Sequence, residues 1–194
     1  MASTSPHAYI SAGHHQIAFV VNDISAAERF FTEKLGVPKF FRFNDVEVHE
    51  ATYRGNPGDF HIHISLGYAG NSQIELIQHL SGRSIYKEFL DKKGEGLHHL
   101  GFIVPDHDKV IADFVANGFP VIQSGRIGNN PGVKFAYFDT EATIGAIMES
   151  IVLDEQNRPA EAAACYRSAF RIAERRLPPD HPTVAVIRSH VTHH

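Results

Sequence analysis

The chain contains one pattern twice, and that repetition restricts the architectures open to it. His14-His15-Gln16-Ile17-Ala18-Phe19-Val20 is echoed by His98-His99-Leu100-Gly101-Phe102-Ile103-Val104. Both runs are short, apolar and β-prone, and each opens on a histidine pair. An amphipathic helix follows each run. The first, Ser25 to Leu35, closes at Gly36 and Pro38; the second, His107 to Asn117, closes at Gly118 and Pro120. Glycine just past a helix end relieves the left-handed C-cap, and the later proline cannot continue the helix. The units also end alike: Gln73-Ile74-Glu75-Leu76-Ile77 matches Ile147-Met148-Glu149-Ser150-Ile151, each a strand-like run centred on a glutamate. The pattern predicts strand, helix, then three strands, twice, over residues 13–80 and 96–153. The linker 81–95 carries a predicted helix from Ser84 to Lys92 that ends at Gly94.

Strand geometry turns the repeat into a statement about side chains. Alternation puts His15 with Ile17 and Phe19, and His99 with Gly101 and Ile103. The opposite faces, Ala18/Val20 and Leu100/Phe102/Val104, are expected to pack on the helices. Glu75 shares a face with Gln73 and Ile77. A carboxylate in the middle of an apolar strand is costly to bury unless it is paired or bound to a cation. Two such carboxylates and two histidines at equivalent places in the halves are expected to converge between them. A divalent metal held by His15, Glu75, His99 and Glu149 removes the cost.

Bulk properties exclude several classes. At 194 residues, with 43% hydrophobic and 21% charged residues, the chain has the means to bury a proper core. No run approaches the roughly 20 apolar residues a membrane helix needs, and no secretory signal opens the sequence, so a cytoplasmic protein is expected. Net charge is −4 with dispersed Lys and Arg, which leaves no footprint for nucleic acid. The lone Cys165 cannot form an internal disulfide. No Walker-type or Rossmann glycine fingerprint is present.

The run Gly94-Glu95-Gly96-Leu97-His98-His99-Leu100-Gly101-Phe102, with Gln73-Ile74-Glu75-Leu76-Ile77, resembles the vicinal oxygen chelate (glyoxalase/bleomycin resistance/dioxygenase) superfamily. The closest match in motif is to methylmalonyl-CoA epimerase-like members, and the resemblance covers residues 13–153. It implies an α+β fold: two tandem βαβββ modules form a curved mixed sheet around a metal site. It also implies one divalent ion (Zn, Co, Ni, Mn or Fe) on His15, Glu75, His99 and Glu149, a small-molecule substrate, and a homodimer. The activity implied is that of a metal-dependent isomerase, epimerase or lyase working through a metal-stabilised enolate, with Glu149 as both ligand and base. The epimerase pattern has a glutamate in the third strand; here Gly58-Asp59-Phe60-His61-Ile62-His63-Ile64-Ser65 puts His61 in its place. His61 is therefore the expected acid/base, with His63 a substrate contact on the same face. Arg126, in the turn-rich run Ser124 to Gly132, is the expected partner of an anionic substrate group. Two rival readings stand beside this one. An iron(II) extradiol-type dioxygenase would use His15, His99 and Glu149; a non-catalytic binding protein would only sequester its ligand.

Residues 1–12 read as a flexible N-terminus. Residues 154–194 read as a helical C-terminal extension: an amphipathic helix from Pro159 to Arg176, a Leu177-Pro178-Pro179 break, and a second short helix. It resembles part of one tetratricopeptide unit, and a single unit cannot bury its own face.

Overall fold

The computed structural model describes residues 15–70, 72–128 and 132–153. The helical extension expected over 154–194 and the flexible start expected over 1–12 lie outside them. Each predicted unit forms. The first comprises β1 (Gln16–Val21), α1 (Ile24–Leu35), β2 (Phe40–Tyr53), a two-residue strand β3 (Asn56–Pro57), β4 (His61–Ala69) and β5 (Ser72–Ser81). After the linker helix α2 (Ile85–Lys93), the second comprises β6 (Gly96–Ile103), α3 (His107–Ala116), β7 (Val121–Ile127), β8 (Val133–Phe138), a single turn α4 (Glu141–Ile144) and β9 (Ile147–Leu153). No helix among the described residues is long and apolar enough to cross a membrane.

Helix ends follow local chemistry. The Asp23 side chain accepts from Ala26 N at 2.9 Å and that of Asp106 from Lys109 N at 3.0 Å, so each satisfies an orphan donor of a first turn. Ser84 does the same for α2, accepting from Lys87 N at 3.2 Å. Gly36 leaves α1 at φ 74°, a left-handed conformation that a Cβ would disfavour.

All nine strands share one sheet in the order β3-β2-β4-β5-β1-β6-β9-β8-β7. β1 runs parallel to β5 and β6 parallel to β9, so the halves repeat each other's topology. β1 and β6 join the halves antiparallel. β2 also pairs antiparallel with β7, which closes the sheet on itself. It can do so because it changes partners along its length. Phe40 to Glu47 face β4, and Val48 to Tyr53 face β7, with a register break in each stretch. Asp45 at φ 49° and Glu50 at φ 52° lie at those breaks, where bulges bend a strand.

Three apolar clusters fill the structure. Inside the barrel, Val20, Ile62, Ile64, Ile77, Phe135 and Tyr137 meet Phe60 and Tyr86. On the outside, α1 covers Ile74 and Leu76, and α3 covers Phe102, Val104, Phe138 and Met148. Phe114 of α3 stacks on Phe138 at 3.9 Å between ring centroids; burying one such ring contributes roughly 1.5–3 kcal/mol. The β6 faces are as expected, with Phe102 and Val104 against a helix. The β1 faces are reversed. Ile17 and Phe19 pack beside α1, while Ala18 and Val20 point into the barrel. Since α1 bears on the face of β1 that carries Ile17, the residue of β1 that looks inward at its start is Gln16, not His15.

Candidate metal centre

The two middle strands, β1 and β6, and their parallel neighbours carry the site. Ala18 lies opposite both Glu75 on β5 and His99 on β6, and Gly101 lies opposite Gln16 and Glu149. Small residues at 18 and 101 leave room for the larger side chains around them. A Cβ added to Gly101 would stand 2.8 Å from Gln16 Oε1 and 3.0 Å from Glu149 Oε2, so the glycine is the floor of the cluster.

Glu75, His99 and Glu149 each offer a ligand atom, all within 4.8 Å of one another. His99 Nε2 is 3.2 Å from Glu75 Oε2 and 3.2 Å from Glu149 Oε2. Both carboxylate oxygens are buried, and neither has a hydrogen-bond partner among the described residues. Buried carboxylate oxygens near one ring nitrogen, but outside hydrogen-bonding line with it, form an arrangement that a bound cation would satisfy. Gln16 completes the ring. Its Nε2 donates to Gln73 Oε1 at 2.9 Å, and Gln73 Nε2 donates to the Tyr68 hydroxyl at 2.8 Å. That chain turns Gln16 Oε1 toward His99 Nε2, 3.3 Å away. One imidazole, two carboxylates and an amide oxygen make a mixed nitrogen/oxygen set suited to a first-row divalent ion.

The two carboxylates also act on the imidazole itself. Burial disfavours a charged His99, but the carboxylates of Glu149 and Glu75 outweigh it and raise its pKa to about 9. Burial also raises Glu75, with His99 opposing. Beside them, Tyr86 and Tyr137 share a hydroxyl–hydroxyl hydrogen bond of 2.8 Å, and burial followed by the charge of Glu149 pushes both far up, so both stay protonated.

The four expected ligands divide three to one. Glu75, His99 and Glu149 come together; His15 does not join them. It stands one residue before β1, half-buried, its pKa lowered by burial, with Glu149 pulling the other way. The halves match by a different count: Gln16 and His99 each lie seven residues before the aspartate that caps the next helix, Asp23 and Asp106. The repeated histidine pair is out of step with the structural repeat by one residue. The count to the caps was the signal that points to Gln16.

The expected acid/base and substrate contacts are placed elsewhere. Ile62 and Ile64 occupy the inner face of β4, so His61, His63 and Ser65 face outward. His61 Nδ1 is 2.9 Å from Asp45 Oδ1, and His63 Nδ1 accepts from Asp45 N at 2.9 Å. Ser65 hydrogen-bonds Glu28 on α1, which also pairs with Arg42. The reason is packing: β4 needs its apolar face inside a closed barrel, where an open sheet would leave a polar cavity. Arg126 is likewise on the outer face, ion-paired with Glu50 at 3.0 Å across the β2–β7 seam. Tyr137, Tyr86 and His98 are the neighbours of the cluster that sequence reasoning did not assign.

Known proteins are similar to this chain in sequence or in fold. An uncharacterised protein of Bacillus subtilis (strain 168), YqjC, is 28% identical over 139 residues, covering 69% of this chain and 86% of that protein. The crystal structure of a hypothetical protein from Bacillus halodurans is similar with a TM-score of 0.53 at 23% identity, over 76% of this chain and 98% of that one. The crystal structure of methylmalonyl-CoA epimerase from Mycobacterium tuberculosis is similar with a TM-score of 0.51 at 20% identity, over 78% of this chain and 91% of that one. Both structural likenesses concern the fold. The profile of the glyoxalase/bleomycin resistance protein/dioxygenase superfamily matches residues 15–137, well over half of the sequence. The chain therefore belongs to the glyoxalase/bleomycin resistance protein/dioxygenase superfamily.

Proposed function

We propose that this protein is a metal-dependent isomerase, epimerase or lyase that moves a proton on a small carbonyl compound or CoA thioester. Gln16, Glu75, His99 and Glu149 would hold one divalent ion (Zn, Co, Ni, Mn or Fe). The observation that carries the reading is the pair of buried carboxylate oxygens, Glu75 Oε2 and Glu149 Oε2, without hydrogen-bond partners beside His99 Nε2.

When bound, the ion supplies electrophilic stabilisation of negative charge on a substrate oxygen. The rest of the chemistry belongs to the chain. Glu149, a buried carboxylate, serves as the base that takes the proton from the carbon next to the carbonyl. Glu75 sits on the other side of His99, its Oε2 3.2 Å from Nε2, and would serve as a ligand. The surrounding wall, with Phe135, Ile77 and Val20, keeps bulk water from competing. A two-histidine, one-carboxylate dioxygenase set is less well supported, because the inward position on β1 is Gln16.

The test begins with elemental analysis of protein purified without chelator. One transition-metal ion per chain is expected, followed by exchange of an α-proton for solvent deuterium on acyl-CoA thioesters or α-hydroxy and α-keto carbonyl compounds. Protein that neither carries nor takes up a divalent ion would overturn the metal-dependent reading. Metal without any α-proton exchange, but with oxygen uptake on a catechol, would replace it with the dioxygenase.

A further inference from the structure

The His98-His99 pair contains a second piece of site machinery. Successive residues of a strand point to opposite faces, yet both of these rings lie inside the barrel, 1% and 0% exposed. A bulge explains it. Ala18 pairs with His99 and Phe19 with Leu97, so His98 is the extra residue of β6. The bulge turns its ring inward, where Nδ1 lies 2.8 Å from His99 Nδ1. Tyr86 and Phe89 of α2 hold the His98 ring at centroid distances of 5.3 Å and 5.1 Å.

Two ring nitrogens at 2.8 Å share one proton, so one ring donates and the other accepts. We propose that His98 is a positioning residue: its Nδ1 accepts the Nδ1–H of His99 and so leaves the His99 Nε2 lone pair facing Glu75 and Glu149. The proposal rests on the metal-centre reading above. His99 has its Nε2 between two carboxylates, and a cation bound there requires that nitrogen unprotonated; its proton then belongs on Nδ1, and His98 Nδ1 is the only acceptor recorded for it among the described residues. The proton of His98 must then sit on Nε2, which is buried, with the Ile85 backbone beside the ring. A ring kept only to fill space would not need a nitrogen at either place, and phenylalanine would serve. Orientation of a ligating imidazole through its second nitrogen is worth about 10- to 100-fold in metal affinity. The linker helix thereby acts on the centre, since its Tyr86 and Phe89 fix the ring that fixes the ligand.

The experiment uses the full chain and Zn²⁺ as probe, with affinity from competition against a chromogenic chelator. His98→Asn places an amide oxygen near the old Nδ1 and is expected to bind within about threefold of wild type, while His98→Phe is expected to bind about 10- to 100-fold more weakly. Long-range ¹H–¹⁵N correlation spectra of the Zn²⁺-loaded wild type are expected to show His99 protonated on Nδ1, with a slowly exchanging proton. Equal affinity of His98→Phe and wild type overturns the proposal and leaves the metal centre standing. So does a His99 ligated through Nδ1, a result that stands even if His98→Phe fails to fold. Wild-type protein that takes up no Zn²⁺ or other divalent ion overturns the metal-centre reading and this proposal with it.

Discussion

A single residue of register separates two accounts of the centre, and mutagenesis tells them apart. Gln16→Ala is expected to weaken divalent-ion binding by about tenfold or more, since it deletes an oxygen fixed by Gln73 and Tyr68. His15→Ala is expected to bind nearly as wild type; isothermal titration with Zn²⁺ reads both. Gly101→Ala puts a methyl group within 3.0 Å of Glu149 Oε2 and against Gln16 Oε1, so it should lower ion affinity with little change in the circular dichroism of the folded protein. His61→Ala should leave ion content and turnover close to wild type, because the ring is outside the barrel beside Asp45; exposed substitutions of this kind change stability by about 0.5 kcal/mol or less. Glu75 and Glu149 were legible in the sequence because carboxylates inside apolar strands are physically anomalous, and His99 because of the repeated motif around it. Gln16 was not, since a polar amide beside a histidine pair looks unremarkable until the strand's inward face is known. That face is decided by which side the following helix packs on, a tertiary matter that alternation alone leaves open.

At the scale of elements, the linker helix is the most informative. Its start at Ser84 and stop at Gly94 were readable from capping chemistry, as was the end of α1 at Gly36. Its role was not, because nothing local says that Tyr86 and Phe89 reach the barrel interior. Glu88 anchors the same helix to the end of β2. It accepts hydrogen bonds from Arg54, at 2.7 Å to Nη2, and from the Tyr53 hydroxyl. Arg54 first, against burial and with Tyr53 assisting, lowers the Glu88 pKa from 4.5 to about 2. A carboxyl depressed on folding contributes stability that is complete above its unfolded value and is lost as pH falls through the folded one. Denaturant titrations from pH 5 to pH 2 should therefore show a loss of roughly 2 kcal/mol over that window, which Glu88→Gln lacks; the figure allows for a side chain 23% exposed. The bends of β2 were also hidden from sequence reading. Asp45 and Glu50 at positive φ are non-glycine residues, and only the Asn44-Asp45 pair carries a turn signal.

Across the whole molecule, the β2–β7 seam decides what sort of container the two halves make. Twin modules were legible from the repeat, but closure was not, since it depends on one 14-residue strand serving two neighbours. Gly125 sits at the seam with Val48 Cγ1 only 2.4 Å and Phe135 Cζ 2.9 Å from where a Cβ would stand. Gly125→Ala should cost about 1–3 kcal/mol in urea unfolding, the usual penalty for overpacking a filled interior. The opposite seam, β1 against β6, has a different dependence. Its donors are shared out evenly, Gln16 and Glu75 from one half, His99 and Glu149 from the other. An ion seated there would be a rivet as well as a reagent: stripping it with EDTA would then unclasp the twins along that line first, and the amides of β1 and β6 would be the earliest to trade their hydrogens with heavy water.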